Sequence, residues 1–336
     1  MRRILLTLIG LAAVALAGRD VQSQLQASLP IAQVQLVDVP RGATMNGLLR
    51  DFEQRGVLGS ARQRLYLSWY ARLRGQAAAL KAGEYSLAPG LRATDLTALL
   101  ASGNVVLHEL RLVEGWQFAQ ALAAVQAHPA IVHTLPESGT SDALMAALGQ
   151  PGRHPEGLFY PDTYRFPRAT TDVEFLRRAF RTLERVLGEE WAARSADVPY
   201  ATPAEALVMA SIVERETGMV DERGAIAGVF VRRLRQGMRL QTDPSVIYGL
   251  GAAFDGNLRK RDLLADTPYN TYTRAGLPPT PICLPGRAAL QAALHPVPGK
   301  TLYFVARGDG SHQFSETIAE HTAAVRKYQL KRRSRR

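Results

Sequence analysis

Two carboxyl groups, Glu214 and Glu216, close a predicted helix that is otherwise apolar on nearly all sides. The preceding segment, ALVMASIV at 206–213, leaves no polar stripe, which is typical of a helix buried on most faces. A carboxyl at the end of such a helix loses hydration, so its pKa rises and it can hold a proton near neutral pH, as a general acid must. At about 100° per residue the two side chains point in different directions, so we do not expect a close carboxylate pair.

A structural role for these glutamates is the alternative. Many buried helices end in a glutamate that pairs with a basic side chain, and Arg215 or Arg223 could be that partner. Structural ion pairs also perturb carboxyl pKa values, so the pattern alone leaves catalysis and ion pairing both open.

The helix that carries these groups has a well-marked beginning. Thr202 can serve as the N-cap, Pro203 suits the first helical position, and Glu205 completes a capping box. The sequence therefore predicts one buried helix that delivers both carboxyl groups near its end.

A small α+β unit is predicted before this helix, after a polar linker from Arg19 to Pro30. Strands are expected in AQVQLVDVP (32–40) and VVLHELRLVEG (105–115), with helices and a further strand between them. Nothing in this unit has the residue types of a catalytic site, so a scaffold or binding role is the better interpretation.

The later part of the chain concentrates polar and aromatic residues in three segments, 149–166, 237–251 and 266–286. These segments contain, in chain order, Glu156, Gln241, Asp243, Tyr248, Tyr269, Asn270 and Tyr272. Aromatic rings beside amides and carboxylates suit a sugar, because rings stack on its apolar faces and polar groups bind its hydroxyls. A structural loop pinned by its prolines is the alternative for any single residue there. His312 and His321 have no third partner with nucleophilic spacing, and His312 is expected to lie in a turn or line a substrate site.

Composition excludes several classes of protein. The 336 residues are 46% hydrophobic and 21% charged, as in a globular protein of two or three domains. Of the net charge of +11, the tail at 331–336 supplies five and the first three residues two more, so the body lacks the charge of a nucleic-acid groove. The single cysteine, Cys283, excludes an intrachain disulfide framework and a thiolate metal cluster. No HExxH, P-loop or GxGxxG motif is present.

The N-terminus predicts export of the body. Two arginines precede an apolar run from Ile4 to Ala17, which as a helix would span about 21 Å, short of a hydrocarbon core of about 30 Å. An "ALA" at 15–17 makes a cleavable signal peptide the rival of a membrane anchor. Positive charge stays inside, so in either case the rest of the chain faces outward.

Four segments together resemble one known family. LVMASIVERETG, GMRLQTDPSVIYGLG, YNTYTRAGLPP and LYFVARGDGSHQFSETIAEH, in this order, are similar to motifs of the YceG-like endolytic murein transglycosylases of the MltG type. The similarity extends from about Leu36 to Tyr328. Two positions depart from the family pattern: Arg232 replaces an asparagine, and Leu284 stands where many members have a polar residue.

The resemblance implies a domain organisation and a set of site residues. The fold class is α+β: a small LysM-like α/β module (31–112) is followed by a mixed α+β catalytic domain (113–330), with a membrane anchor or signal segment at 1–18 and a basic tail at 331–336. The family's catalytic glutamate corresponds to Glu214 in SIVERE. The residues implied to bind substrate are Glu156, Gln241, Asp243, Tyr269, Asn270 and Tyr272. No metal or other cofactor is implied.

The implied activity is that of a lyase that cleaves peptidoglycan within its strands. One carboxyl protonates the oxygen between N-acetylmuramic acid and N-acetylglucosamine, then takes the proton of the muramic acid C6 hydroxyl as that oxygen attacks C1. The product carries a 1,6-anhydro end, and no second carboxylate is needed, unlike in most glycosidases.

Three other functions stay open at this point. They are a non-catalytic glycan-binding or scaffold protein of the cell envelope, a peptidoglycan hydrolase with Asp243 or Glu156 as second carboxylate, and a salt-sensitive binder of anionic polymers. The partners implied by the resemblance are peptidoglycan strands and peptidoglycan synthases, with the chain held at a bacterial inner membrane through its N-terminal segment and its catalytic domain in the periplasm.

Overall fold

The computed structural model describes residues 2–330, which form a mixed α/β protein of two compact units. The N-terminal unit comprises Met1–His108 and Arg165–Thr170, and the C-terminal unit comprises Glu109–Tyr164 and Thr171–Arg336. The predicted basic tail at 331–336 lies outside the described residues. The boundary predicted near residue 112 stays a prediction.

The N-terminal unit begins with a long helix and continues as a strand–helix–helix–strand–helix array. Its elements are α1 (Arg2–Gln26), β1 (Gln35–Val39), α2 (Met45–Gln54), α3 (Ala61–Leu73), β2 (Gly83–Leu87) and α4 (Ala93–Ser102), followed by β3 (Leu107–Arg111). The β1 and β2 strands pair antiparallel, with Val37 opposite Tyr85. The apolar residues of α2, which helical spacing places on one face, are all buried: Met45, Leu48, Leu49 and Phe52.

The α1 helix differs from the expectation of a polar linker after residue 18. It stays helical to Gln26, and Arg3–Gln26 is long and apolar enough to cross a membrane. The polar end of α1 is held on α3 by side chains: the Tyr66 hydroxyl donates to Asp20 (2.9 Å) and the Gln63 amide donates to the Gln24 carbonyl (3.1 Å). The polar composition of residues 19–26 indicated a linker, because the helix that they contact, α3, lies about forty residues further along the chain.

The C-terminal unit is mostly helical, with short strand pairs. The elements after β3 are, in chain order, α5 (Phe118–Ala127), β4 (Ile131–Val132), α6 (Thr140–Ala147), β5 (Thr163–Pro167), β6 (Thr170–Thr171), α7 (Asp172–Ala192), α8 (Pro203–Glu216), α9 (Val220–Arg235), α10 (Asp243–Leu250), α11 (Lys260–Leu264), α12 (Arg287–Leu294), β7 (Tyr303–Ala306), β8 (His312–Ser315) and α13 (Ile318–Val325). Of these, β5 and β6 include residues of the 165–170 segment assigned above to the N-terminal unit. The strand pairs are β3 with β5, β4 with β6, and β7 with β8.

Helix α8 is the centre of the C-terminal unit. It packs against α7, α9, α10 and α12, and every residue of 206–213 is buried, as its apolar sequence predicts. Thr202 accepts a hydrogen bond from the Glu205 amide (3.3 Å) and Pro203 opens the helix. The Glu205 carboxylate, however, accepts from the Ala201 amide (2.7 Å), so the predicted capping box does not close on Thr202 itself.

Candidate active site

Glu214, the carboxyl predicted to be catalytic, is held inside the protein by two partners. Its Oε1 accepts from Arg223 Nη2 of α9 (2.8 Å), and its Oε2 accepts from the Gly286 amide just before α12 (2.9 Å). The two side chains of this ion pair are 5% and 9% exposed. Burial raises the pKa of Glu214, while the Gly286 amide and the Arg223 charge oppose that rise. Glu214 thus ties α8 to its neighbours, which is the structural alternative considered from the sequence.

Glu216 lies in different surroundings, at the last residue of α8. Its Oε2 accepts a hydrogen bond from the Thr242 hydroxyl (3.0 Å), and its side chain lines a cavity of about 520 Å³. Burial raises the pKa of Glu216 to about 7; Thr242 and Arg233 oppose the rise and the negative charge of Asp243 adds to it. Near neutral pH this carboxyl is therefore present in both its protonated and its ionised form.

The cavity beside Glu216, called here the Glu216 cavity, is polar and aromatic. Its lining includes Glu216, Arg233, Gln241, Asp243, Tyr272, Tyr303, His312 and His321. These residues come from α8, α9, the segment between α9 and α10, the start of α10, the 266–286 loop, both strands of the β7–β8 pair and α13. Of the sequence-predicted site residues, the cavity gathers Gln241, Asp243 and Tyr272, and Glu214 is not among its lining.

Three cavity residues are positioned by contacts with one another and with Arg233. The Tyr272 hydroxyl donates to Asp243 Oδ1 (2.6 Å), and Arg233 Nη1 donates to Gln241 Oε1 (3.4 Å). Gln241 has a φ of 53°, a left-handed conformation uncommon for a residue with a side chain. Backbone strain of this kind persists only where the surroundings enforce it, and here the Gln241 amide donates to the Thr271 carbonyl (3.1 Å).

Asn270 serves the loop that carries the aromatic residues. It is 1% exposed, and its amide nitrogen donates to the carbonyls of Asp262, Leu263 and Ala265, the last at 2.6 Å. Its Oδ1 accepts from the Tyr272 amide (2.8 Å). Because its donors bind the end of α11 and its acceptor binds the Tyr272 amide, Asn270 positions Tyr272 and does not line the Glu216 cavity.

A second concavity of about 540 Å³, called here the Glu156 cavity, collects the other predicted residues. Glu156 Oε1 accepts from the Phe118 amide (2.9 Å) and its Oε2 accepts from the Tyr248 hydroxyl (3.1 Å). Burial raises the pKa of Glu156 to about 7 against these hydrogen bonds. The Tyr248 and Tyr269 rings meet edge to face at 4.8 Å between centroids. Since Asp243 and Tyr248 belong to the same helix, α10 contributes to both cavities.

Two histidines that line the Glu216 cavity, His312 and His321, are fixed by contacts with neighbouring side chains. His312 Nδ1 lies 2.7 Å from Glu222 Oε2, and the His312 amide donates to Glu222 Oε1 (2.9 Å). The His321 ring stacks on Tyr303 at 5.3 Å between centroids, and burial lowers the pKa of His321. These contacts agree with a lining role for His312. Among the described residues, no group of three His, Cys, Asp or Glu side chains is arranged to hold a metal ion.

The two departures from the family pattern lie outside both cavity linings. Arg232 donates to the carbonyls of Val297 (3.0 Å) and Thr301 (2.7 Å), which fixes α9 against the segment before β7. Leu284 is fully buried, and its amide donates to the Trp116 carbonyl (2.7 Å). We therefore expect both to affect packing more than substrate contacts.

Sequence reasoning missed Glu216 as a cavity residue. The helical repeat correctly separated the two glutamates, yet it could not show which of the two faces would be covered. The available signal was Arg223, which is nine residues after Glu214 and was already considered as an ion-pair partner. Pairing of Glu214 with Arg223 leaves Glu216 as the carboxyl free to face an open site.

Comparison with known proteins identifies relatives across most of the chain. A model of the YceG-like family matches residues 37–327. The chain is 30% identical over 312 residues to the endolytic murein transglycosylase of Bacillus subtilis, covering 87% of this chain and 84% of that relative. It is 27% identical over 308 residues to the endolytic murein transglycosylase of Streptococcus pneumoniae strain D39, covering 80% of this chain and 54% of that relative.

A solved structure shares the fold. The crystal structure of a yceG-like protein from Listeria monocytogenes superposes with a TM-score of 0.56 at 28% identity, covering 87% of this chain and 99% of that one. The family match extends over almost the whole range expected from the four motifs, Leu36 to Tyr328. On the family match and the relatives together, this chain belongs to the YceG-like family.

Proposed function

We propose that this protein is an endolytic murein transglycosylase, a lyase that cuts the glycosidic bond between N-acetylmuramic acid and N-acetylglucosamine and leaves a 1,6-anhydro end. The relatives that carry this name are similar over most of the chain. One observation in the molecule itself carries the proposal. A carboxyl with a pKa of about 7 lines a polar, aromatic cavity large enough for sugar units.

We assign the acid and base role to Glu216 in place of Glu214, the residue predicted from the sequence. Glu214 would have to leave both Arg223 and the Gly286 amide before it could bind a substrate, because each of its carboxylate oxygens already accepts a hydrogen bond inside the protein. Glu216 has a single hydroxyl partner and faces the cavity. A pKa close to working pH is what a group needs to give up a proton and then take one back.

The chemistry then uses one carboxyl twice. Protonated Glu216 donates its proton to the glycosidic oxygen as the bond from C1 of the muramic acid breaks. The resulting carboxylate takes the proton of the C6 hydroxyl on the same sugar, and that oxygen forms the new bond to C1. Glu216 ends the reaction protonated, as it began. No water is consumed, and no covalent bond forms between the sugar and the protein.

The cavity residues have separate parts in this proposal. Tyr272 and Gln241 are within the Glu216 cavity and offer an aromatic face and an amide to the sugars. Tyr269 and Glu156 would hold a further part of the strand in the Glu156 cavity. Asn270 acts indirectly, by ordering the loop that carries both tyrosines.

Asp243 supports a second candidate function, a peptidoglycan hydrolase. It lines the same cavity as Glu216, and its charge contributes to the raised pKa of that carboxyl. A second carboxylate in one cavity is the arrangement that glycosidases use to activate water or form a glycosyl intermediate. The hydrogen bond from Tyr272 to Asp243 favours a positioning role for this carboxylate, and the products of cleavage separate the two functions.

The N-terminal unit would place this activity at a membrane. We propose that α1 is a single-pass anchor, with Arg2 and Arg3 on the cytoplasmic side and both units in the periplasm. An alkaline phosphatase fused to the C-terminus should then be active, and an inactive fusion in an expressed protein would contradict this orientation.

We also propose that the β1–α2–α3–β2 array is a LysM-like glycan-binding module. Photo-crosslinks from bound glycan strands should then include its residues. Peptidoglycan synthases are the proposed protein partners.

The decisive experiment is mass spectrometry of peptidoglycan digested by the full chain in detergent. Wild-type protein should release 1,6-anhydromuramic acid ends from within strands, and Glu216→Gln should release none while still binding the polymer. Glu214→Gln is the matched control: the fraction that remains folded should still form anhydro ends, at a reduced rate because the last turn of α8 is held less firmly. If Glu216→Gln cleaves and folded Glu214→Gln does not, the acid is Glu214. Ordinary reducing ends would indicate the hydrolase.

A further inference from the structure

An apolar stripe on α3 is left uncovered in the N-terminal unit. Leu65, Trp69 and Leu73 recur every four residues along one face of the helix and are 48%, 58% and 84% exposed. The opposite face is in the core, where Leu67 and Ala71 are completely buried. We refer to Leu65, Trp69 and Leu73 as the α3 stripe.

The α3 stripe lies on the same side of α3 as the membrane-spanning candidate α1. Arg62 and Tyr66 both contact Asp20 of α1. At about 100° per residue Arg62 falls within the arc of the stripe and Tyr66 falls about 20° beyond its edge at Leu73. The stripe therefore adjoins the face of α3 that α1 contacts.

The order of the contacts gives the direction of α3 relative to the anchor. Gln24 of α1 contacts the first residues of α3, Ser60 and Gln63. Asp20, one turn closer to the membrane-spanning segment, contacts Tyr66, further along α3. As α1 runs back toward its apolar part, α3 runs forward toward Leu73, so the C-terminal half of α3 lies on the bilayer side of the contact.

Helix geometry would place this half at the membrane interface if α1 is the anchor proposed above. The apolar run of α1 ends at Ala17 and Asp20 is three residues beyond it, about 4.5 Å along the helix. Asp20 and its partner Tyr66 would then be at headgroup level. Leu73 is seven residues past Tyr66, about 10 Å further along α3, which is enough to reach the boundary of the hydrocarbon.

The chemistry of this end of α3 fits a lipid surface. Tryptophan is enriched at membrane interfaces, where its ring spans apolar and wet surroundings. Arg72, whose guanidinium lies 5.7 Å from the centre of the Trp69 ring, and Arg74 are both exposed, and within residues 2–330 neither has an acidic side chain as a salt-bridge partner. Arginines in this position can extend to lipid phosphates.

We propose that the C-terminal half of α3 is a second membrane contact, in which Trp69 and Leu73 enter the outer surface of an anionic bilayer and Arg72 and Arg74 bind its phosphates. The docked end of α1 and this contact together hold the N-terminal unit in one orientation on the membrane. A protein partner covering the stripe is the alternative that the test excludes.

Quenching of tryptophan emission by brominated lipids tests the depth of Trp69. The full chain is reconstituted in vesicles of phosphatidylcholine and phosphatidylglycerol, with and without bromine near the start of the acyl chains. The Trp69-dependent emission, defined by subtraction of Trp69→Phe, should fall about twofold with bromine. Trp191→Phe is the matched control and should leave the quenched component unchanged. Equal quenching in wild type and Trp69→Phe, or none in either, would overturn the proposal.

A charge at the tip provides an independent check that leaves the reporter in place. Leu73→Glu should move Trp69 toward water, so its quenching should decrease and its emission shift to longer wavelength. Leu264→Glu, at an exposed leucine of α11, is the control and should change neither. Unaltered quenching in Leu73→Glu would show that Trp69 reports on lipid without the stripe entering it, and would also contradict the proposal.

Discussion

Replacement of Glu216 by glutamine should make the protein more stable at alkaline pH and leave its stability at acid pH nearly unchanged. The folded protein raises the pKa of this carboxyl from 4.5 to about 7, so ionised Glu216 is penalised on folding. The difference corresponds to about 3 kcal/mol once the pH exceeds 7. Below about pH 4.5 the group is protonated in both the folded and unfolded states and the penalty is absent. The stability of the wild type therefore decreases as pH rises from 4.5 through 7, and the variant removes this contribution.

Thermal unfolding of the full chain in detergent, followed by circular dichroism from pH 4.5 to 8.5, measures the effect. For a unit of this size, about 3 kcal/mol corresponds to a rise in Tm of about 6–12 °C for Glu216→Gln at pH 8.5. Glu156, which has a pKa of similar value, titrates in both proteins and cancels in the comparison.

Glu214→Gln is the matched control, and its effect on stability should have the opposite sign to that of Glu216→Gln. It leaves the buried Arg223 guanidinium without its counter-charge, which should destabilise the fold by about 3–5 kcal/mol wherever Glu214 is ionised in the wild type. If Glu216→Gln has the same pH profile of Tm as the wild type, the carboxyl is not desolvated in the folded state. The argument for its role as an acid would then fail.

Three further outcomes are expected. The initial rate of anhydro-end formation at low substrate should decrease about tenfold per pH unit above pH 7, as protonated Glu216 is lost; a rate that rises through pH 8 would contradict this. Tyr248→Phe removes the hydroxyl that donates to Glu156 and should destabilise the protein by about 1 kcal/mol in urea unfolding; a larger effect at pH 5 than at pH 8 would argue against an ionised acceptor. Asn270→Ala should cost about 2–3 kcal/mol in unfolding free energy and slow cleavage, because the buried Asn270 side chain loses its hydrogen bonds to three carbonyls at the end of α11 and to the Tyr272 amide. Asn257→Ala at an exposed loop position should change the unfolding free energy by less than about 0.5 kcal/mol.

Local features of the fold were predictable because they depend on neighbouring residues. The buried helix α8 follows from the cap at Thr202 and the apolar run after it, and the buried face of α2 follows from helical spacing. The end of α1 was not predictable in this way. Residues 19–26 are polar and indicate a linker by themselves, and they become an extension of the helix through contacts with α3.

The candidate site was predictable in residue type more than in role. Segments rich in aromatics and amides did contribute to two cavities. Asn270, however, has a side chain of the type that binds sugars and uses its amide to hold the end of α11. The choice between Glu214 and Glu216 depends on α9, α10 and the β7–β8 pair, which converge on the end of α8 from distant parts of the sequence. No pattern within the SIVERE segment contains that information.

The ion pair between Glu214 and Arg223 has a mechanical consequence for the residue two positions later. The terminal turn of a helix is where fraying begins, and Glu216 is the last residue of α8. The bonds from Glu214 to Arg223 of α9 and to the Gly286 amide keep the last turn of α8 from unwinding. The Glu216 carboxyl is therefore carried on an ordered turn at a position where helices usually fray. On heating, the contacts of Glu214 with Arg223 and Gly286 should break before the C-terminal unit unfolds, because helix ends have lower local stability than cores. Loss of catalysis would then precede loss of fold, and Arg223, which lies outside the cavity lining, would set the temperature at which the enzyme stops working.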